Sequence, residues 1–93
     1  MKDYEALIHP LIDPLIEKPE AVVIRELPGG NSKEVTVLIV AEDDDCARLI
    51  GRRGAIANAL REVINIAGKA DDTNTWVHLR FESFSEGEKE KDE

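Results

Sequence analysis

The chain has 93 residues, 42% of them hydrophobic, with 12 basic and 20 acidic side chains and a formal charge of -8. This length predicts one domain, and the acidic total argues against a protein whose whole surface binds nucleic acid. The charge is unevenly distributed, because residues 46–70 hold five basic side chains and one acidic one, whereas residues 82–93 hold six acidic and two basic ones. A local basic site is therefore compatible with the acidic total.

Cysteine usage and hydropathy indicate the compartment. Cys46 is the only cysteine, so no disulfide forms within these residues and no metal site is built from several cysteines. A reducing, cytoplasmic setting is expected. No apolar run approaches the ~18 residues of a membrane span, and Pro10 and Asp13 interrupt the N-terminal apolar run, so we expect neither a secretory signal nor membrane association.

Residues 3–17 predict a helix that prolines interrupt. Apolar side chains recur along it at helical spacing. Pro10 and Pro14 each lack an amide donor and crowd the preceding turn, so two short helical pieces are possible, with Pro10 near the start of the second. Pro19 ends the helical region.

A hairpin is predicted next. Residues 20–27 are rich in β-branched side chains, residues 28–32 form a strong turn signal, and residues 35–40 form a continuous apolar strand. We expect the two strands to pair antiparallel, with the second strand in the centre of the sheet.

Residues 42–68 predict two amphipathic helices joined by a loop at residues 51–54. Residues 42–45 are acidic, which suits a helix N-cap and the first turn. Consecutive side chains diverge, so a metal site there is not expected. Gly68 is expected to end the second helix.

Residues 76–82 alternate between apolar and polar side chains, which predicts a strand. Val77, Leu79 and Phe81 form its buried face. Trp76 shares the opposite face with His78 and Arg80, where it either stacks on a base, docks a partner or covers the sheet. We expect residues 1–84 to form the domain and residues 85–93 an acidic, disordered tail.

These elements predict an α+β fold in the order α-β-β-α-α-β, a three-stranded sheet with helices on one face. The loop at its centre has a distinct chemistry. Gly51 and Gly54 let the backbone approach a ligand closely, and Arg52 and Arg53 supply planar donors that match phosphate. The start of the second helix favours an anion.

Residues 49–61 resemble the KH module, whose Gly-x-x-Gly loop clamps about four nucleotides of backbone. More narrowly, residues 4–82 resemble the small bacterial single-KH proteins of the KhpA type. The resemblance implies a type II KH fold, with residues 28–33 as its variable loop facing the Gly-x-x-Gly loop across a cleft. It also implies single-stranded RNA as ligand, a homodimer, and pairing with a KhpB/Jag-type KH protein in cell elongation and division. It implies no enzymatic activity and no cofactor.

The residues expected to contact RNA lie in or around the loop: Ile50, Gly51, Arg52, Arg53, Gly54 and Ile56, with Arg48 and Arg61 flanking them. The two flanking arginines either extend the phosphate track or are simply solvated. Ala55 and Ile56 stand where the KhpA-like pattern has a basic residue and a threonine, which removes a positive charge and a hydroxyl. The alternative to an RNA site is a glycine-bounded turn with solvated arginines.

A second hypothesis is a protein–protein interaction module whose KH cleft binds RNA weakly or not at all. The acidic total, the exposed Trp76 and the altered loop flank favour it, with the helix surface near Ile56 and Leu60 as the contact. An enzyme is not expected, because the histidines form no catalytic pattern and Cys46 lies on an apolar helix face, which predicts a buried structural cysteine.

Overall fold

The computed structural model describes residues 3–28, 33–70 and 75–85. Within these ranges the chain forms three helices and three strands. Their bounds are α1 Tyr4–Ile12, β1 Val23–Pro28, β2 Glu34–Ala41, α2 Asp43–Ile50, α3 Ala55–Ala70 and β3 Trp76–Ser83. Short 3₁₀ turns lie at Asp13–Leu15, Pro19–Ala21 and Arg52–Gly54.

The sheet has the order β1-β2-β3. β1 and β2 pair antiparallel, with Ile24 opposite Ile39, and β2 and β3 pair parallel, with Val37 opposite Leu79. The parallel pairing requires a crossover, which α2 and α3 supply. The expected hairpin, the central position of the second strand and the α-β-β-α-α-β order are all confirmed.

The core lies between the helices and one face of the sheet. Alternate strand residues are buried, while their neighbours on the other face remain partly or fully exposed. Val77 and Leu79 are buried and Phe81 packs against the core, which confirms the predicted buried face of β3. Cys46 is buried, as expected for a structural cysteine.

The first helix breaks later than expected. Pro10 lies inside α1, and the chain changes to a 3₁₀ turn at Asp13–Leu15, where Pro14 sits. The proline ring is compatible with helical φ, and the carbonyl that it deprives of a donor belongs to the exposed Ala6. β1 likewise starts later than expected, at Val23.

Gly68 does not end α3, which continues to Ala70. Among the described glycines only Gly51 and Gly54 have a positive φ, so Gly68 needs no left-handed conformation. A Cβ atom at Gly68 would lie 2.5 Å from the carbonyl oxygen of Thr75. The glycine is therefore required because the chain returning to β3 passes directly over the helix.

Side chains of α3 cover the outer edge of β3. The Asn65 amide pairs with both backbone groups of Val77: its Oδ1 accepts from the N–H at 2.8 Å, and its Nδ2 donates to the carbonyl at 2.9 Å. One turn earlier, Arg61 donates to the carbonyl of Leu79 through Nε and Nη2 at 3.4 and 3.3 Å. Helix and strand are thus joined by polar contacts as well as by the core.

Asp45 joins α2 to the segment that connects α1 to β1. Its side chain is 2% exposed, and its two oxygens accept from the backbone N–H groups of Glu17 and Lys18 at 3.0 and 2.9 Å. Arg48 donates to the same carboxylate at 2.9 Å. Among the three consecutive aspartates, Asp45 is therefore a tertiary contact as well as a first-turn acid.

Two expectations concern residues outside the described ranges. Four of the residues of the expected variable loop, 29–32, and residues 86–93 of the expected tail belong to them. Ser85, which we assigned to the tail, is described, and its Oγ donates to Oδ2 of Asp43 at 2.7 Å.

We predict that Asp45→Asn lowers the melting temperature by several degrees at pH 7. The backbone N–H of Glu17, then that of Lys18 and the Arg48 guanidinium, hold the pKa of Asp45 below its usual range, against the opposing effect of burial. A carboxyl with a lowered folded-state pKa stabilises the protein above its unfolded-state pKa, and this contribution disappears as the pH falls through the folded value.

Thermal unfolding from pH 7 down to pH 2 checks this prediction. The difference between wild type and Asp45→Asn should narrow below about pH 4, the ordinary carboxyl range. Asp44→Asn, an exposed change in the same turn, is the matched control and should follow wild type. A difference between wild type and Asp45→Asn that stays constant with pH would contradict the charge-based explanation.

Candidate nucleic-acid interface

The turn between α2 and α3 is built on positive φ angles. Gly51 has φ 75° and ψ 176°, Arg53 has φ 56° and ψ 26°, and Gly54 has φ 77°. The Gly51 N–H donates to Ala47 at 2.9 Å and so closes α2, and the Gly54 N–H donates back to the Gly51 carbonyl at 3.2 Å. Within four residues the chain leaves one helix and enters the next.

Gly51 is required by both conformation and packing. Its φ and ψ lie in a region that is essentially restricted to glycine. A Cβ there would lie 2.8 Å from Cγ1 of Ile56 and 3.0 Å from the Ile56 backbone nitrogen. Gly54 is different, since the nearest atom to a Cβ at that position is Nδ2 of Asn58 at 3.9 Å. Ile56 therefore packs directly beside Gly51 of the loop and also against the core.

Arg52 and Arg53 are exposed, and no salt bridge to either is found in the described part of the chain. Arg53 is in the left-handed conformation that side chains other than glycine rarely adopt. A left-handed residue beside helical ones gathers successive N–H groups on one side, which suits an anion. The loop therefore combines two unpaired guanidinium groups with backbone donors at a helix start.

The two flanking arginines contact other groups of this same chain instead. Arg48 contacts Asp45 at 2.9 Å and Glu17 at 3.1 Å. Arg61 contacts the Leu79 carbonyl and lies 5.7 Å over the ring of Phe81. The structure thus brings the loop residues 50–54 and Ile56 together, but it places the charged groups of Arg48 and Arg61 in internal contacts.

Ile50 and Ile56 differ in how they could meet a ligand. Ile50 is exposed at the end of α2 beside the loop, whereas Ile56 is half-buried. An apolar contact for a base is therefore available at Ile50. Residues 29–32, which make up most of the variable loop that we expected on the other side of the cleft, lie outside the described residues.

Asn58 is a residue that the sequence analysis missed. It is exposed one turn into α3 and lines an open depression together with Arg52, Arg53 and Ala55. Its Oδ1 accepts from Nη1 of Arg61 at 2.9 Å. The available signal was its helical spacing, since it follows Gly54 by four residues and precedes Arg61 by three, which places it on the face of α3 that adjoins the loop.

A second surface lies at the α3–β3 edge. Trp76 is 47% exposed, its ring meets that of His78 edge-on at 6.2 Å, and Nζ of Lys69 lies 5.8 Å over it. Ile66, 69% exposed, lines the same groove. On the helix surface that we expected near Ile56 and Leu60 as a protein contact, Leu60 is buried and Ile56 is half-buried, whereas Val63 and Ile66 are exposed, and the contact itself stays a prediction.

Neither a membrane-spanning helix nor a cluster of metal-ligand side chains occurs among residues 3–28, 33–70 and 75–85. No described helix is long and apolar enough to cross a membrane. No group of three or more His, Cys, Asp or Glu side chains with the geometry of a metal site occurs among the same residues.

A three-stranded sheet covered on one face by helices, two of which are joined by a glycine-bounded turn, defines a KH domain. Comparison with known proteins gives the family. The protein-family model described as "KhpA/KhpB, KH domain" matches residues 5–79, and the chain belongs to this family.

Curated relatives agree with this assignment. The RNA-binding protein KhpA of Listeria monocytogenes is 34% identical over 75 residues, which cover 81% of this chain and 96% of that protein. KhpA of Oceanobacillus iheyensis is 33% identical over 75 residues, covering 81% and 95%. KhpA of Clostridium perfringens is 27% identical over 73 residues, covering 78% and 95%. No solved structure matches the chain significantly.

We predict that Gly51→Ala destabilises the protein by more than about 2 kcal/mol, because it adds both a steric conflict with Ile56 and a disfavoured backbone conformation. Gly54→Ala is the matched control, since it introduces a disfavoured φ without a close contact, and should cost about 1 kcal/mol. Urea unfolding of the two variants checks the order. Equal losses would show that packing on Ile56 does not restrict position 51.

Proposed function

We propose that this chain binds single-stranded RNA by holding the sugar-phosphate backbone at residues 51–54. The observation that carries the proposal is the pair of exposed arginines, Arg52 and Arg53, without a described salt bridge on a turn whose backbone also suits an anion. Planar guanidinium groups match phosphate oxygens. The names of the curated relatives, RNA-binding protein KhpA, support the same ligand class.

The expected binding is weak and depends strongly on salt. Few phosphates can contact a loop of four residues, and each phosphate contact releases bound counterions, so affinity falls as salt rises. Ala55 adds no charge beside Gly54, and Arg48 and Arg61 are held in internal contacts. Ile50 supplies an exposed apolar contact for a base. RNA binding of this kind involves no chemical reaction, and we propose a cytoplasmic binding protein without enzymatic activity.

Joining two such domains would raise the affinity through avidity. We therefore propose that the chain acts as a homodimer or with a KhpB/Jag-type KH partner, in the regulation of cell elongation and division. This part of the proposal comes from the family resemblance. The groove beside Trp76 and Ile66 is a described apolar surface that an assembly could cover.

The same groove favours the alternative function, a protein–protein interaction module with weak or absent RNA binding. Its exposed tryptophan and isoleucine have the character of protein contacts rather than of a phosphate site. The two functions depend on different residues, so loop and groove variants separate them.

We predict that the double variant Arg52→Gln, Arg53→Gln loses most RNA affinity at low salt. Fluorescence anisotropy with labelled single-stranded oligonucleotides, measured from about 20 to 200 mM salt, checks this. If both arginines contact phosphates, the slope of log K against log salt should become shallower by about 1.4, because each contact on a single strand contributes about 0.7.

The matched control is Arg25→Gln, Arg80→Gln, which removes the same charge from the face of the sheet opposite the helices. This control should retain both affinity and slope. Equal loss in the two double variants would indicate general charge attraction, and equal binding in all proteins, or none in wild type, would favour the protein-interaction function.

We also predict that the protein is dimeric at micromolar concentration in the absence of RNA. Light scattering coupled to size-exclusion chromatography measures the mass, and Ile66→Glu tests the exposed groove, with Ala59→Glu as the matched control, which introduces the same side chain at an exposed position of α3 outside the groove. A monomeric mass for wild type, across concentrations up to about 100 µM, would contradict the homodimer.

A further inference from the structure

Asn58 occupies the first position after the loop that offers a side-chain hydrogen-bond donor. Gly54 is followed by Ala55, Ile56 and Ala57, none of which carries a polar side-chain atom. Asn58 then lines the depression that also contains Arg52 and Arg53. A methyl group built on Gly54 would lie 3.9 Å from Nδ2 of Asn58, so the amide lies directly beside the second glycine.

Arg61 determines which way this amide is turned. A guanidinium group can only donate, so the Asn58 atom that it contacts at 2.9 Å must be the carbonyl oxygen Oδ1. The opposite half of the amide, Nδ2, therefore faces away from Arg61, toward Gly54. No hydrogen bond from Nδ2 to a partner within the described residues is found.

Arg61 is itself held in place. Nε and Nη2 donate to the Leu79 carbonyl at 3.4 and 3.3 Å, and the guanidinium lies 5.7 Å over the ring of Phe81. The polar chain thus runs from the backbone of β3 through Arg61 to Asn58 and ends beside the loop. Restricting the amide before binding reduces the entropy lost when it engages a ligand.

We propose that Asn58 donates a hydrogen bond from Nδ2 to the sugar-phosphate backbone of the nucleotide held at Gly54, and that Arg61 is the positioning residue that orients this amide. The inference rests on the proposed function, because it assigns a further contact to the same loop. Asn58 is uncharged, so its contact adds affinity without releasing counterions. Arg61 acts through Asn58 and does not touch the RNA.

Asn58→Ala tests the contact. The side chain is exposed in a helix where alanine is favourable, so the variant should fold at least as well as wild type. RNA affinity should fall at least about threefold, as expected for the loss of one hydrogen bond from an uncharged side chain to a backbone oxygen, with the same slope of log K against log salt as wild type. The loss should be equal for oligo-A and oligo-U, because the contact is to the backbone.

Arg61→Met tests the positioning role in a double-mutant cycle. It should lower affinity with an unchanged salt slope, and the double variant Asn58→Ala, Arg61→Met should bind no more weakly than the weaker single variant. Additive losses, or a shallower slope in Arg61→Met, would mean that Arg61 contacts phosphate itself and would overturn the assignment. If Arg61→Met does not fold, the Asn58→Ala measurements decide alone.

The outcomes separate this inference from the proposed function. If wild type binds, Arg52→Gln, Arg53→Gln loses binding and Asn58→Ala binds as wild type, the loop function stands and the role of Asn58 is wrong. Unequal losses for oligo-A and oligo-U would replace the backbone contact by a base contact and overturn the proposal as stated. If wild type binds no RNA, both fail together.

Discussion

The arrangement of α2, the turn at residues 51–54 and α3 depends on the close approach of Gly51 to Ile56. Both α2 and α3 bury one face in the same core, so the chain must reverse between them without lifting either helix away. A turn this tight places the backbone of one helix end against a side chain of the next, with no room for a Cβ atom. The shape of the loop is therefore set by core packing, and its polar side chains remain available for a ligand.

Five of the six arginines in this acidic chain fall into two groups. Arg48, Arg61 and Arg80 contact carboxylates or carbonyl groups of the protein, while Arg52 and Arg53 point to solvent from the turn. Pairing an exposed cation with a nearby acid contributes little to the free energy of unfolding. Leaving Arg52 and Arg53 unpaired therefore lowers stability only slightly. The total charge consequently says less about the ligand than the placement of two side chains does.

Much of the fold was predictable from the sequence. The alternation in β3, the apolar run of β2 and the helical spacing on either side of residues 51–54 each reflect burial of one face, and burial is what sequence periodicity records. The bounds of α1 were harder to predict, because Pro10 and Pro14 have the same intrinsic tendency to end a helix, yet α1 continues through Pro10 and changes to a 3₁₀ turn only at Asp13–Leu15.

The site was predictable only in part. Residues 50–54 were predicted as a phosphate contact because glycines and arginines at that spacing carry their chemistry locally, and their role stays a prediction. The backbone partners of Asp45 are 27 and 28 residues distant, and the partners of Arg61 include the backbone of a strand 18 residues away, so neither set could be inferred from spacing. Gly68 was interpreted as a helix stop because its real constraint, the close approach of the Thr75 backbone, is a tertiary contact that local sequence does not show. The orientation of Asn58 depends on the same long-range contact of Arg61.

The pairing of Asn65 with Val77 has a consequence for self-association. An edge strand with open backbone groups invites another strand to add to the sheet, and such additions begin many aggregates. Asn65 occupies the donor and the acceptor of Val77, and Arg61 occupies the carbonyl of Leu79, so α3 replaces the missing neighbour strand there. Addition of another strand at β3 is therefore opposed at Val77 and Leu79.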